Sequence, residues 1–163
     1  MSKKFSIFIN IVSIVLLLFY LIPRIMLYTA KDEPLDNFIK GYFDNCHDYL
    51  LLGTKLDKEY IEFKTTNEKD ILEIFKSISN LKVKHFSKTN AFNPYGRLNY
   101  TFNFNAKNED GANLMIRLYV YENNYIEIET YKSYNTKNSK LYNFKITNLT
   151  DYKIFDNIID KIN

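Results

Sequence analysis

Leu114–Met115–Ile116–Arg117–Leu118–Tyr119–Val120–Tyr121–Glu122–Asn123–Asn124–Tyr125–Ile126–Glu127–Ile128–Glu129–Thr130–Tyr131 holds the reading that decides the fold. Leu114, Ile116, Leu118 and Val120 alternate with Met115, Arg117, Tyr119 and Tyr121, the period of a strand with one buried face. Ile126 and Ile128 resume the alternation after a turn. A two-residue Asn123–Asn124 loop would set Val120 against Glu127 and bring a carboxylate onto the buried face. A three-residue loop, Glu122–Asn124, sets Val120 against Ile126 and Leu118 against Ile128. A slip of one residue turns the whole apolar row outward, so the three-residue register is the expected one. Asn124 suits it, because asparagine tolerates the left-handed conformation. The same register places Arg117 opposite Glu129 and Tyr121 opposite Tyr125 on the other face.

The pattern extends in both directions. Leu98, Tyr100, Phe102, Phe104 and Ala106 share a face, Asn99, Thr101, Asn103 and Asn105 the other. Asn108–Glu109–Asp110–Gly111 turns the chain into the hairpin, and Asn93–Pro94–Tyr95–Gly96 forms an earlier turn. Upstream, Glu59–Thr65 alternates as a strand. Thr65–Thr66–Asn67–Glu68 then reads as a capping box opening a helix that carries Ile71, Ile74, Phe75, Ile78 and Leu81 and ends near Lys82. Residues 35–50 show helical period through Leu35, Phe38, Ile39, Tyr42, Phe43, Cys46, Tyr49 and Leu50, with Gly41 in mid-pattern. Lys132–Lys140 is a polar loop, and Tyr142, Phe144 and Ile146 make a last strand. Asn148 or Thr150 caps a closing helix bearing Ile154, Phe155, Ile158, Ile159 and Ile162. The expected class is α+β: an antiparallel β-meander with helices packed on one face, preceded by an N-terminal transmembrane helix.

That helix is read from Phe5–Ile22, an uncharged apolar run that would span about 27 Å, close to the hydrocarbon thickness of a bilayer. Setting aside Lys3, Lys4 and Arg24, which flank the run, leaves 19 of the 22 basic residues to balance the 19 acidic ones. The net charge of +3 therefore belongs to the flanks, and no nucleic-acid surface is implied. Lysines before the run and Asp32–Glu33 after it orient the chain with its N-terminus cytoplasmic and its C-terminal domain outside. The expected organisation is a signal-anchor segment at 1–28, a linker at 29–34, bracketed by Pro23 and Pro34, and a single extracytoplasmic domain at 35–163. The alternative is cleavage after Ala30 and secretion, for which Pro23 suits the helix break before a cleavage site. Bulky Tyr28 in front of that site and the length of the run weigh against it. A single cysteine excludes an internal disulfide.

From Glu59 to Asn163, this order of elements and the Tyr-rich, Ile/Glu-alternating strand NYIEIETY resemble small domains of unknown function that follow signal or anchor sequences in low-GC Gram-positive bacteria. The resemblance implies a bacterial envelope location and carries no activity over to any residue.

Few residues invite chemistry. Cys46–His47 lacks the further His or Cys that a tetrahedral metal site needs. Glu127 and Glu129 share a strand face, as paired glycosidase carboxylates do, but Arg117 offers Glu129 a structural partner. No phosphate-cradling glycine loop or nucleophile elbow occurs, so no cofactor or metal is expected and an enzyme is the less favoured class. The remaining candidate is the outer sheet face: Met115, Arg117, Tyr119, Tyr121, Tyr125, Glu127, Glu129 and Tyr131, with Asn99 or Asn103 nearby. Tyrosine supplies large contact area at low entropic cost, which points to a binding or interaction module for an envelope protein or glycan. The alternative is an envelope hydrolase or inhibitor-like accessory protein.

Overall fold

The computed structural model describes residues 3–56, 60–86, 94–132, 139–149 and 152–162. A helix at Lys3–Thr29 (α1) opens the chain. Its segment Ile7–Leu27 is long and apolar enough to cross a membrane. The break at Pro23 that suits the cleavage alternative does not occur. The single hydrogen bond that proline cannot donate leaves the helix running on to Thr29. The end of the stretch expected to be a linker is likewise structured, because Glu33–Pro34 (β1) pairs with a later strand, and just beyond it Leu35 N–H donates to Leu81 O at 2.8 Å. Pro34 suits this two-residue edge, where a missing donor is tolerated.

The helix expected over 35–50 is the main correction. Only Asp36–Ile39 (α2) is helical, and the chain leaves it through Gly41 in the left-handed region (φ 71°). Cys46–Lys55 (β2) is a strand. Its register against a later strand shifts between His47 and Leu50, where Asp48 takes φ 53°. This bulge breaks the two-residue period, and the unbroken Tyr49–Leu52 run carries no alternation of its own.

Ile61–Thr65 (β3) leads into Glu68–Ser79 (α3). Asn67, rather than a threonine, caps α3 by accepting from Asp70 N–H at 3.5 Å; Thr65 Oγ1 accepts from Asn67 N–H instead. Ile71, Ile74 and Ile78 are buried as expected, while Leu81 lies past the helix end. Lys82–Phe86 (β4) is a strand the sequence pattern did not reveal. Leu98–Asn108 (β5), Asn113–Tyr121 (β6), Tyr125–Lys132 (β7) and Lys140–Ile146 (β8) form the expected meander, and Lys153–Ile162 (α4) closes the chain. Asn148 does not cap α4, because its Oδ1 accepts from Lys82 N–H at 2.9 Å. Residues Glu59 and Asn93, most of the 132–140 loop, and Thr150 lie outside the described residues.

Among the described residues, eight strands make one antiparallel sheet in the order β1-β4-β8-β7-β6-β5-β2-β3. The β6–β7 register is the three-residue one: Val120 faces Ile126, Arg117 faces Glu129 and Tyr121 faces Tyr125. Asn123 and Asn124 both take left-handed φ, 61° and 63°. One sheet face carries Leu51, Phe63, Phe102, Phe104, Ile116, Leu118, Ile126, Ile128 and Phe144 into the core, closed by α2, α3 and α4 through Leu35, Ile39, Ile74, Ile78, Phe155 and Ile159. Lys55 bridges to Asp156 at 2.7 Å and Tyr100 donates to the same carboxylate at 2.9 Å, fixing α4 on the sheet. Among the described residues, no helix after α1 lies over the opposite face.

Candidate functional site

Cross-strand pairing arranges the uncovered face in rows. Tyr121 lies beside Tyr125 and then Lys145; Tyr119 beside Glu127 and then Asn143; Arg117 beside Glu129 and then Leu141. In the last row, Met115 stands between Asn105 and Tyr131, with Leu50 beyond Asn105. The eight residues singled out in the sequence thus share one face, because strand side chains alternate sides. Their surroundings divide them into two ends.

At one end α1 meets the sheet. Leu27, in its last turns, is buried against Phe86 and Tyr125, with Tyr95 and Tyr121 packed around them. Tyr95 stacks on Tyr121 with ring centroids 4.3 Å apart and planes 12° from parallel, and its hydroxyl donates to Asn143 Oδ1. Tyr125 is only 8% exposed. It therefore leaves the accessible surface to which the alternation had assigned it. Burial, then the nearby Glu127 carboxylate, push the Tyr121 phenol up to about 12. Tyr95 lies further up for the same two causes.

The other end is open. Glu129 Oε2 accepts from Tyr131 Oη at 2.7 Å and from Tyr119 Oη at 3.4 Å, and Arg117 Nη1 stands 3.8 Å away. The Arg117 guanidinium also lies over the Tyr131 ring, 5.2 Å from its centroid. One carboxylate thus fixes two phenols and orients a cation. The Glu129 hydrogen bond raises the Tyr131 phenol, and burial raises that of Tyr119. Both rings are neutral donors at neutral pH, and neither is an activated nucleophile.

Beside this constellation runs a groove of about 680 Å³. Leu50, Leu52 and Met115 supply its apolar lining, Asn105 and Asn113 supply amides, and Arg117 and Tyr131 form one wall. Asp48 and Lys107 pair at 2.9 Å at its edge, which holds the Asp48 carboxyl below its ordinary range. Sequence reading missed Asp48, Leu50, Leu52 and Lys107 as members of this surface. The first three fall in or next to the bulged strand mistaken for a helix, so no periodic signal joined them to Met115.

Cys46 is half-buried and donates weakly to Asp44 O at 3.6 Å, while His47 is exposed. Among the described residues, no three His, Cys, Asp or Glu side chains are grouped to hold a metal ion. No family model matches the chain, and neither a curated protein nor a solved structure matches it.

Proposed function

We propose that this chain is a single-pass membrane protein whose domain stands outside the cell membrane and binds a protein or glycan partner of the envelope through the open end of its sheet. The observation that carries the reading is the groove beside Glu129. An apolar floor of Leu50, Leu52 and Met115 is flanked by amides and by an Arg117–Tyr131 wall whose geometry is fixed before any partner arrives. Fixed aromatic and guanidinium groups over an apolar floor give affinity without a large ordering cost on binding. Asn105, Asn113 and the phenols offer the directed hydrogen bonds that sugar hydroxyls or a peptide backbone require.

The test has two arms. Protease applied to intact cells should remove a C-terminal tag while the N-terminal helix stays in the membrane fraction; a protected tag would reverse the orientation. Arg117→Ser combined with Tyr131→Ser should leave the fold intact, since both side chains lie on the open face. The same variant should lose at least tenfold in binding to immobilised envelope glycans or to crosslinked envelope proteins. Unchanged capture by both would remove the groove from the function.

A further inference from the structure

The two edges of the sheet are unlike. At one, β1 is two residues long and includes Pro34, which gives an incoming strand little to pair with. At the other, β3 runs through Ile61–Thr65 without proline or glycine and is paired residue by residue with β2. Among the described residues, no strand lies on the outer side of β3. An extended edge of this kind presents a row of backbone donors and acceptors to any strand that matches it. Its side chains divide by face. Phe63 is buried in the core, whereas Glu62 and Lys64 are exposed on the open face. Tyr60 precedes them on that face, also exposed, and its hydroxyl donates to the Glu62 carboxylate.

This edge is complementary to itself. Two copies meeting antiparallel about a two-fold axis perpendicular to the sheet keep their core faces on the same side, and only residues of the same face then oppose one another. An axis through Glu62 sets carboxylate against carboxylate, and one through Lys64 sets ammonium against ammonium. Like charges directly opposite are unfavourable. An axis through Phe63 sets Glu62 against the partner's Lys64 and Lys64 against the partner's Glu62. It also sets Ile61 against the partner's Thr65 and Tyr60 against the partner's Thr66. Backbone, face and charge thus agree on one register. We infer that β3 is a homodimerisation edge, at which a second copy of this chain continues the sheet in the antiparallel register centred on Phe63. Both open faces then lie on the same side of one continuous sheet. The dimer does not depend on what the groove binds. Where the groove binds an envelope polymer, however, the pair would engage it at two Arg117–Tyr131 walls at once, and avidity would exceed either contact alone.

The full chain in mild detergent, with Cys46→Ser as background, provides the test. Chains bearing Glu62→Cys and chains bearing Lys64→Cys, told apart by their tags, are mixed and mildly oxidised. The mixed disulfide-linked dimer should form several-fold faster than either chain links to itself, because directly opposed strand residues lie within disulfide reach and residues two further along do not. In chains without added cysteines, dimerisation is followed by energy transfer between labelled copies. Glu62→Lys opposes like charges and should weaken it several-fold, and the swap Glu62→Lys/Lys64→Glu should restore it. Both variants should melt with the wild type, since the exchanged side chains are exposed. Self-linking of either cysteine chain as fast as the mixed pair would overturn the register. A dimer that Glu62→Lys leaves intact would overturn the edge and move the association to another surface, α1 included. A chain that stays monomeric at every concentration would overturn the dimer and leave the edge to an extended segment of another protein.

Discussion

Gly53 is the position where a single methyl group decides local packing. A Cβ there would lie 2.1 Å from Phe63 Cζ and 2.5 Å from the carbonyl oxygen of Thr101. Phe63 is a buried ring in contact with Phe102, and the carbonyl belongs to a neighbouring strand, so neither yields cheaply. Gly53→Ala should destabilise the domain by about 1–3 kcal/mol, the usual cost of overpacking a core. A denaturation midpoint unmoved by the change would mean that β3 can slide away from β2. Tyr42 makes a different kind of demand. Its hydroxyl donates to Met115 O, at 3.2 Å, and to Tyr131 O at the open end of β6 and β7, and burial pushes its phenol up to about 12. An unfolded tyrosine titrates near 10. Below pH 10 both states keep the proton and stability is unaffected; between pH 10 and 12 the unfolded chain releases it first, and stability falls. Tyr121, also raised to about 12, acts in the same window. Melting temperature followed from pH 8 to 12 should be flat and then drop, and the drop should be shallower in Tyr42→Phe.

At the level of elements, the β6–β7 hairpin shows what local pattern is able to specify. Alternation on both strands and the cost of burying Glu127 leave one register, and the two left-handed asparagines complete it. Their roles differ. Asn124 donates its side-chain amide to Leu149 O at 2.8 Å and its backbone N–H to Tyr152 Oη at 3.2 Å, tying the turn to the approach of α4. Asn123→Gly should therefore be neutral or mildly stabilising, since glycine holds φ near 61° without strain, whereas Asn123→Val should cost about 1–2 kcal/mol. Asn124→Gly should be destabilising through the lost amide contact. Equal melting temperatures for the two glycine variants would contradict this division. The helices α3 and α4 were legible for the same reason as the hairpin, since each buries one clean stripe. Two strands were not. In β2, the bulge at Asp48 and the Tyr49–Leu52 run mimic a helical stripe. In β4, Val83 faces the core but Phe86 faces α1, so apolar residues fall on both sides and no alternation survives. The candidate face was legible as a face. Its division into a covered and an open end was not, because that depends on where α1 and Tyr95 come to rest.

For the whole molecule, strand order matters more than any single contact. β8 is the last of the described strands along the chain yet lies inside the sheet, between β7 and β4, and it carries the buried Phe144 and Ile146. Removing 140–163 would strip β4 of a neighbour, expose the β7 edge and delete α4 from the core. Such a truncation should lose cooperative unfolding altogether, measured as the disappearance of a sigmoidal thermal transition. Persistence of that transition would mean that residues 3–139 fold without β8. The consequence reaches into how the protein is made. A chain emerging N-terminus first delivers β1 through β7 before the strand that joins β4 to the meander, and the β2–β5 pairing also joins strands separated in sequence by β3, α3 and β4. Non-local pairing of this kind is slow, because loop closure precedes any reward from contacts. On the proposed topology, the nascent domain crosses the membrane as an open chain and completes its sheet only once β8 has emerged, which keeps it threadable through a translocation channel until then.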